Sequence, residues 1–246
     1  MTSLFHTLNV SKQDMLSRLL DLDVVSNNLA NVNTIGYKAT RGNFQELLAA
    51  ASQKNGAILS STQALMQQGS LSTTGNFMDW AIQGEGFFAV RLEDGTTAYT
   101  RDGHFMLDAN NTLVNGSGQP LVWNGTLPTG TTAVSVDSGG GVVALVNDEW
   151  QNVGTMQLTR FANPTGLSAF GQNLWLPNES SGAAQAGTPG QNGYGIVRSQ
   201  TLEQSNVDLS QEMTRLMTLQ RAFQMSTKVF QQTDTMINQA INLRKY

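Results

Sequence analysis

The side chains that could carry out chemistry are few, and their spacing does not build a familiar active site. Two histidines occur, His6 and His104, and they lie in different regions without a metal-ligand partner at a known spacing. The chain has no cysteine, which excludes thiolate zinc sites, disulfides and thiol catalysis. The sequence therefore predicts no catalytic residue, no cofactor-binding residue and no metal ligand.

Three short motifs come near to known binding or catalytic signatures, and each lacks a required part. Gly84-Glu85-Gly86 is not followed by the helix-forming run that a dinucleotide site needs. Asp108 begins a stretch like a calcium loop, but the glycine and the terminal glutamate are missing. Ser117 lies in a turn and not at a strand-to-helix elbow. The sequence leaves open a pair of glycosidase carboxylates, because two such residues can be distant in sequence and meet only in the folded chain. The sequence favours a protein that is not an enzyme.

Composition limits the partners. The 246 residues carry a net charge of -4, so the chain lacks the basic footprint of a nucleic-acid-binding protein. No apolar run approaches the ~18 residues of a membrane span, so no membrane insertion is predicted. Charged residues make up only 13%, which suits a surface covered by other protein, although an ordinary β-rich protein with a bland surface fits equally. The first residues lack the basic start of a secretory signal, so any export is expected without a cleaved signal peptide.

Both ends of the chain repeat a mainly apolar position at alternating steps of four and three, the seam of a coiled coil. Helices are predicted over residues 4–33 and 206–243. The second helix has two possible capping pairs, Ser205 with Asp208 and Asp208 with Gln211. We predict that subunits pack through residues of these seams and of the asparagine cluster beside the first: Leu8, Met15, Leu22, Val25, Asn28, Leu29, Asn31, Val32, Leu209, Leu216, Leu219, Phe223, Phe230 and Ile237.

Methionines add a second feature to the last helix. Met213, Met217, Met225 and Met236 suit an adaptable contact surface. For any one of them an ordinary helix core is the favoured interpretation, but together with the heptad seam they favour packing against partner helices.

The middle of the chain changes to a period of two. Short apolar strands alternate with turn signals such as Asp94-Gly95, Asp102-Gly103 and Asn124-Gly125. Strands at turn spacings of about 8–12 residues are typical of a sandwich or barrel-like β domain.

The predicted fold class is α+β, with long N- and C-terminal helices that form a coiled-coil domain around a β-rich middle domain. The expected divisions are an N-terminal coiled-coil helix over 1–36, an extended connector over 37–75 with at most one strand, a β-rich domain over 76–198 and a C-terminal coiled-coil helix over 199–246.

Several longer motifs lie along the chain. The first is SNNLANVNTIGYK at residues 26–38. The others are GEGFFAV at 84–90, YTRDGHF at 99–105, NPTGL at 163–167 with NLW at 173–175, LEQSNVDL at 202–209 and QRAFQ at 220–224. In this order they resemble the motifs of bacterial flagellar basal-body rod and hook proteins, and the similarity spans nearly the whole chain. Among the rod members, the middle motifs are most similar to the distal rod proteins. A short connector and Ser226 in place of an expected asparagine leave the proximal rod proteins and rod-like hook-basal-body paralogues open.

The resemblance implies a structural axial subunit of the flagellar rod, the drive shaft that transmits torque from motor to hook. Such proteins pass unfolded through the flagellar export apparatus to the extracytoplasmic basal body. They self-associate into a helical polymer with an inner coiled-coil tube and outer β domains, and they contact other rod and hook proteins.

One alternative comes from a different class: a secreted carbohydrate-binding β domain whose helical ends only oligomerise it. Its support is four tryptophans, Trp80, Trp123, Trp150 and Trp175, because aromatic faces stack on sugars. Tryptophan is also ordinary core and interface material.

Overall fold

The computed structural model describes residues 2–46 and 57–243, which divide into two compact units. The first, here called the helical unit, has its described parts within Met1–Asn31, Thr40–Leu65 and Val207–Tyr246. The second, the β unit, comprises Val32–Ala39 and Met66–Asn206. Both ends of the chain thus belong to one unit.

Two long helices dominate the helical unit, which confirms the predicted terminal helices. Helix α1 spans Thr2–Ala30 and helix α2 spans Leu209–Leu243. Asp208 begins α2, because its Oδ1 accepts a hydrogen bond from the Gln211 main-chain N–H at 3.0 Å. This bond is the side-chain-to-main-chain contact expected for the Asp208 and Gln211 pair. Within the described residues, neither helix is long and apolar enough to cross a membrane.

Two strands complete the helical unit. Strands β1 (Thr40–Glu46) and β2 (Ala57–Ala64) pair antiparallel, with a bulge between Asn43 and Phe44. The structure differs here from the extended connector with at most one strand that was predicted over 37–75. The polar, Gly/Ser/Thr/Gln-rich composition of this stretch hid the strands, since their ladder satisfies the main chain without an apolar pattern. Residues 47–56 of the predicted connector lie outside the described residues.

The described part of the β unit contains sixteen further strands and one short 3₁₀ helix, which confirms a β-rich middle. The 3₁₀ helix is Pro164–Gly166. The strands, in chain order, are β3 Leu71–Thr73, β4 Trp80–Gln83, β5 Phe88–Arg91, β6 Thr97–Thr100, β7 Phe105–Leu107, β8 Leu113–Asn115, β9 Asn124–Gly125, β10 Thr131–Val136, β11 Gly141–Val146, β12 Glu149–Thr155, β13 Leu158–Arg160, β14 Ser168–Gly171, β15 Leu174–Leu176, β16 Gln185–Gly187, β17 Ile196–Ser199 and β18 Thr201–Glu203.

These strands form small sheets. Two sheets have four strands, in the orders β10-β11-β12-β9 and β14-β15-β6-β5, and four more pairs are β13-β16, β17-β4, β18-β3 and β7-β8. Among the described residues the β-rich middle consists of these small sheets, and the sandwich or barrel-like arrangement stays a prediction. Many strands have only two to four residues, shorter than the usual length of about five or six.

Aromatic and aliphatic side chains from several of these sheets meet in one core. The rings of Trp80 and Phe105 lie 5.2 Å apart, and those of Phe88 and Phe105 lie 5.3 Å apart at nearly right angles. Ile82 and Leu158 are fully buried beside them. The core ties together strands that are distant in sequence, which gives the β unit its stability.

Candidate assembly site and motif junction

Helices α1 and α2 pack antiparallel in the helical unit, and polar contacts set their register. Asn28 Nδ2 donates to Glu212 Oε1 at 3.1 Å, near the end of α1 and the start of α2. Toward the other end of the pair, Ser226 Oγ donates to Asp14 Oδ2 at 2.6 Å. Asp21 lies between them on α1 and pairs with Arg215 at 2.7 Å. Asp14, Asp21 and Asn28 recur every seven residues, so one polar position per heptad faces the partner helix.

The carboxyl group of Asp14 is held in its ionised form. Burial alone would raise its pKa, but hydrogen bonds from Arg18 and Ser226 outweigh that effect and keep the pKa of Asp14 below its ordinary value. Arg18 Nε lies 2.8 Å from the same oxygen that Ser226 contacts. The charged form of Asp14 thus supports the contact between the helices.

Asn28 also holds the first strand of the helical unit. Its side chain is fully buried, its Oδ1 accepts the Thr40 main-chain N–H at 2.9 Å, and its Nδ2 donates to the Thr40 carbonyl at 2.8 Å. The nearby Asn27 and Asn31 instead donate to carbonyls of their own helix, at 3.0 and 2.8 Å. The asparagine cluster therefore combines the long-range contacts of Asn28 with local contacts at the helix end.

The structure places the predicted packing residues at three levels of burial. Val25, Asn28 and Leu219 are buried, and Leu209 is 48% exposed. The side chain of Leu8 lies outside the part of the chain that the structure describes. The others are half-buried: Met15, Leu22, Leu29, Asn31, Val32, Leu216, Phe223, Phe230 and Ile237.

Large apolar side chains outside the predicted seams are exposed on both helices. On α1 these are Leu16, Leu19 and Leu20, which sequence reasoning missed because they fall between the heptad positions. On α2 the exposed set is Met213, Met217, Met225, Val229 and Met236. All four methionines singled out in the sequence are thus on the surface of this chain and not in its core. A groove of about 370 Å³ lies between the helices, lined by Val10, Ala222, Met225 and Val229 among others.

A second site lies in the β unit, where three of the sequence motifs meet around Glu203. Lys38 Nζ donates to Glu203 Oε1 and to the Gln67 carbonyl, and Arg101 Nη1 lies 3.2 Å from Glu203 Oε2. Gly69 N–H donates to Glu203 Oε1 at 2.9 Å. The side chains of Lys38 and Glu203 are inaccessible to solvent. We call this cluster of Lys38, Arg101 and Glu203 the motif junction.

Burial governs the electrostatics of the motif junction. It lowers the pKa of the Lys38 ammonium, and the nearby Glu203 carboxylate only partly offsets that effect. Burial likewise lowers the pKa of Arg101. The junction thus holds two buried cations around one buried carboxylate.

Main-chain contacts reinforce the same meeting point. Gly36 N–H donates to the Glu203 carbonyl at 2.8 Å, and Ala39 N–H donates to Asn206 Oδ1 at 2.7 Å. Gly36 has a φ of +66°, and a Cβ there would lie 2.5 Å from the Asp102 nitrogen. Only glycine fits both the conformation and the space. Sequence reasoning quoted these motifs separately, and no local signal shows that they touch.

No group of three or more acidic or histidine side chains is placed to hold a metal ion within residues 2–46 and 57–243. His104 Nδ1 instead lies 2.7 Å from Asp79 Oδ1, and Thr74 and Asn76 donate to the same carboxylate. This arrangement anchors a turn.

Comparisons with known proteins agree with the order of the motifs. The family described as "Flagella basal body rod protein" matches residues 18–38, "Flagellar hook protein FlgE/F/G D1 domain" matches 81–144, and "Flagellar basal body rod FlgEFG protein C-terminal" matches 198–243.

Individual relatives match over almost their whole length. The flagellar basal-body rod protein FlgG of Borreliella burgdorferi is 34% identical, over 94% of this chain and 96% of its own. The protein of the same name from Buchnera aphidicola is 34% identical over 96% and 99%, and that from Bacillus subtilis is 36% identical over 91% and 93%.

Proposed function

This chain belongs to the flagellar basal-body rod protein family, and on that basis we propose that it works as a structural axial subunit of the rod. The observation that carries this function is similarity along nearly the full chain to relatives named as basal-body rod proteins. Because those relatives carry the FlgG name, they favour the distal rod member over the proximal one and the paralogues.

The exposed apolar side chains of the helical unit support assembly. Leu16, Leu19 and Leu20 on α1, like Met217 and Met225 on α2, are at least two-fifths exposed in the single chain. Burying a fully exposed large apolar side chain contributes roughly 1.5–3 kcal/mol, so covering the remaining exposed part of each of these side chains contributes a fraction of that. Contacts with neighbouring copies would bury these side chains. The entropy that the subunits lose on association would reduce the net gain in free energy.

The finer features of the polymer are part of the same proposal. The terminal helices form a coiled coil with helices of neighbouring copies, to which the predicted packing residues contribute, and the polymer transmits torque between motor and hook. The chain reaches the extracytoplasmic basal body through the flagellar export apparatus and contacts other rod and hook proteins there. The seven-residue recurrence of Asp14, Asp21 and Asn28 supports a fixed register between the two helices of one chain, and the exposed apolar side chains support the packing of that pair against neighbouring copies.

The carbohydrate-binding alternative is not supported. All the relatives reported above are named as rod proteins. Two of the four tryptophans that motivated it, Trp80 and Trp175, are buried in the β unit and cannot offer a face to a sugar.

The test of the rod function compares two charge-introducing pairs on α2 in a bacterium that lacks its own copy of the chain. Met217→Glu with Met225→Glu should abolish rods in isolated basal bodies, because charges would replace apolar contact surface. Gln220→Glu with Gln224→Glu adds the same charge at exposed polar positions and should retain rods.

Circular dichroism of both purified variants must show unchanged helix content, so that loss of assembly is not loss of folding. Normal rods from the methionine variant would overturn the proposed contact surface. Normal rods in cells that lack the chain altogether would overturn the rod function itself.

A further inference from the structure

Four Asn-Gly pairs occur in the sequence, and they begin at Asn55, Asn115, Asn124 and Asn192. Such a pair can modify itself, because glycine has no Cβ to hinder its main-chain nitrogen. Hydroxide removes the proton from that nitrogen, which then bonds to the side-chain amide carbon of the asparagine. The amide nitrogen takes a proton from water and leaves as ammonia, and a succinimide ring remains. Water opens the ring at either carbonyl, which gives aspartate or isoaspartate.

The structure opposes this reaction at Asn115. The residue is 4% exposed, and its Oδ1 accepts the main-chain N–H groups of Ser117 and Gln119 at 3.1 and 2.9 Å. These two bonds fix the side-chain amide in its place. The amide carbon of Asn115 therefore cannot turn toward the next nitrogen without loss of both bonds.

The structure also opposes the reaction at Asn124. Asn124 and Gly125 form β9 and pair with β12, so the ladder fixes the peptide group that contains the attacking nitrogen. A Cβ at Gly125 would overlap the Trp123 ring and the Val153 carbonyl oxygen, which shows how closely the main chain is packed there. The first pair, Asn55-Gly56, lies outside the described residues.

Asn192 and Gly193, by contrast, lie at the tip of a tight turn. The N–H of Tyr194 donates to the Gln191 carbonyl at 2.8 Å, and the φ angles of Asn192 and Gly193 are +49° and +81°, as in a type I′ turn. Both residues are exposed. Within the part of the chain that the structure describes, the Asn192 side chain makes no hydrogen bond, and neither does the N–H of Gly193. The side-chain amide is therefore free to rotate, and hydroxide can reach the nitrogen.

Arg160 adds an activating contact to this turn. Its Nη1 donates to the Asn192 main-chain carbonyl at 3.2 Å. That carbonyl belongs to the same peptide group as the Gly193 nitrogen, so it shares the negative charge that develops when the nitrogen loses its proton. A fixed cation beside this oxygen stabilises that charge. An ion pair from Nη2 to Glu85 at 2.5 Å and a contact with the Tyr194 ring at 5.4 Å hold the guanidinium in position.

We propose that Asn192 is a self-modification site, and that Arg160 promotes its conversion to aspartate and isoaspartate through the succinimide. Asparagine is neutral and the product carries one negative charge, so the net charge of the chain changes from -4 to -5. The new carboxylate competes with Glu85 for the Arg160 guanidinium, and isoaspartate lengthens the main chain of the turn. This chemistry does not depend on the proposed rod function.

The first measurement compares the sites within one sample of the purified full chain. After incubation at mildly alkaline pH, peptides are analysed by mass spectrometry, and isoaspartyl methyltransferase identifies isoaspartate. Asn192 should be converted before Asn124 and Asn115, and its rate should rise with pH, because hydroxide starts the reaction. Conversion of Asn192 no faster than that of Asn124 would overturn the site.

The second measurement tests Arg160 itself. Arg160→Gln should slow the conversion of Asn192 by about two- to fivefold, the range expected for a partly exposed charge contact. Arg198→Gln removes an exposed arginine elsewhere in the β unit and should leave the rate unchanged. In urea, where the turn is absent, Arg160→Gln should have no effect. An equal or faster rate in the folded Arg160→Gln chain would overturn the promoting role of Arg160.

A measurement on the unchanged chain covers the case in which circular dichroism shows that Arg160→Gln does not fold. Added sodium chloride should slow the conversion of Asn192 relative to that of Asn124, because salt screens an exposed charge contact. The same salt in urea should change neither rate relative to the other. A ratio of the two native rates that does not depend on salt would contradict the role of the guanidinium.

Discussion

The side chain of Asn28 pairs with both main-chain groups of Thr40, accepting its N–H at 2.9 Å and donating to its carbonyl at 2.8 Å. A side-chain amide thus takes the place of a neighbouring main chain at the start of β1. The same amide contacts Glu212 on α2, so one buried residue connects both helices and the first strand of the helical unit.

This contact predicts a large difference between two adjacent asparagines. Asn28→Ala should reduce the free energy of unfolding of the helical unit by about 1–3 kcal/mol, because polar groups of Thr40 and Glu212 lose their partner. Asn27→Ala removes an exposed amide and should change it by no more than about 0.5 kcal/mol. Urea unfolding followed by circular dichroism at 222 nm measures both. Equal effects would contradict the bridging role of Asn28.

The motif junction predicts that Glu203 is much more sensitive than another ion-paired glutamate of the β unit. Glu203→Gln leaves Lys38 and Arg101 buried without a negative charge and should reduce the free energy of unfolding by about 3–5 kcal/mol. Glu85→Gln removes a carboxylate that is 70% exposed and should cost at most about 1 kcal/mol. Tryptophan fluorescence during denaturant unfolding reports on the β unit. Adding Lys38→Met to Glu203→Gln should recover part of the loss, and failure to do so would argue against charge as the cause.

Two glycines with positive φ allow the stability cost of a left-handed alanine to be measured apart from the cost of a steric overlap. Alanine at Gly95 meets nothing within 4 Å, so Gly95→Ala should cost only the about 1–2 kcal/mol of a left-handed residue. Gly36→Ala has the same conformational cost and in addition places a methyl group 2.5 Å from the Asp102 nitrogen. We expect a further loss of about 1–3 kcal/mol from that overlap. Thermal unfolding of the two variants tests this. Equal melting temperatures would show that the main chain around Gly36 and Asp102 moves apart with little loss of stability.

The helix pair should weaken in acid through Asp14. Its pKa in the folded chain is lowered from the ordinary 3.8, so the unfolded chain binds a proton more readily. Stability from this group is present above pH 3.8 and is lost as the pH falls through the lowered folded-state pKa. Asp14→Asn should flatten the fall in urea midpoint between neutral pH and about pH 3. Asp23→Asn changes an exposed aspartate of the same helix and serves as the control. If the urea midpoint fell equally with pH in Asp14→Asn and in the unchanged protein, Asp14 would make no contribution to the acid sensitivity of the helix pair.

Local sequence patterns predicted the elements well where neighbours along the chain decide the structure. The alternating steps of four and three placed both helices, since a helix is built from contacts three and four residues apart. Turn pairs such as Asp94-Gly95 marked the ends of β5 and β6, because they depend on the conformation of a few adjacent residues. The strands β1 and β2 had no such apolar alternation, and at most one strand was predicted in that stretch.

Periodicity was less informative about which helix positions are covered. Leu209 continues the seam of α2 and is nonetheless 48% exposed, while the polar Asp21 is buried by its pairing with Arg215. A seven-residue period shows that a helix has a packing face. It does not show whether that face is covered within the chain or by another copy.

The sequence by itself determined the class of the chain: helical ends, a β-rich middle, no cysteine chemistry, and motifs that place it among flagellar rod proteins. Only the tertiary structure decided that Lys38, Arg101 and Glu203 share one buried cluster. The physical reason is separation along the chain. Lys38 and Glu203 are 165 residues apart, so their contact depends on how several sheets pack and leaves no periodic trace in the residues around either one.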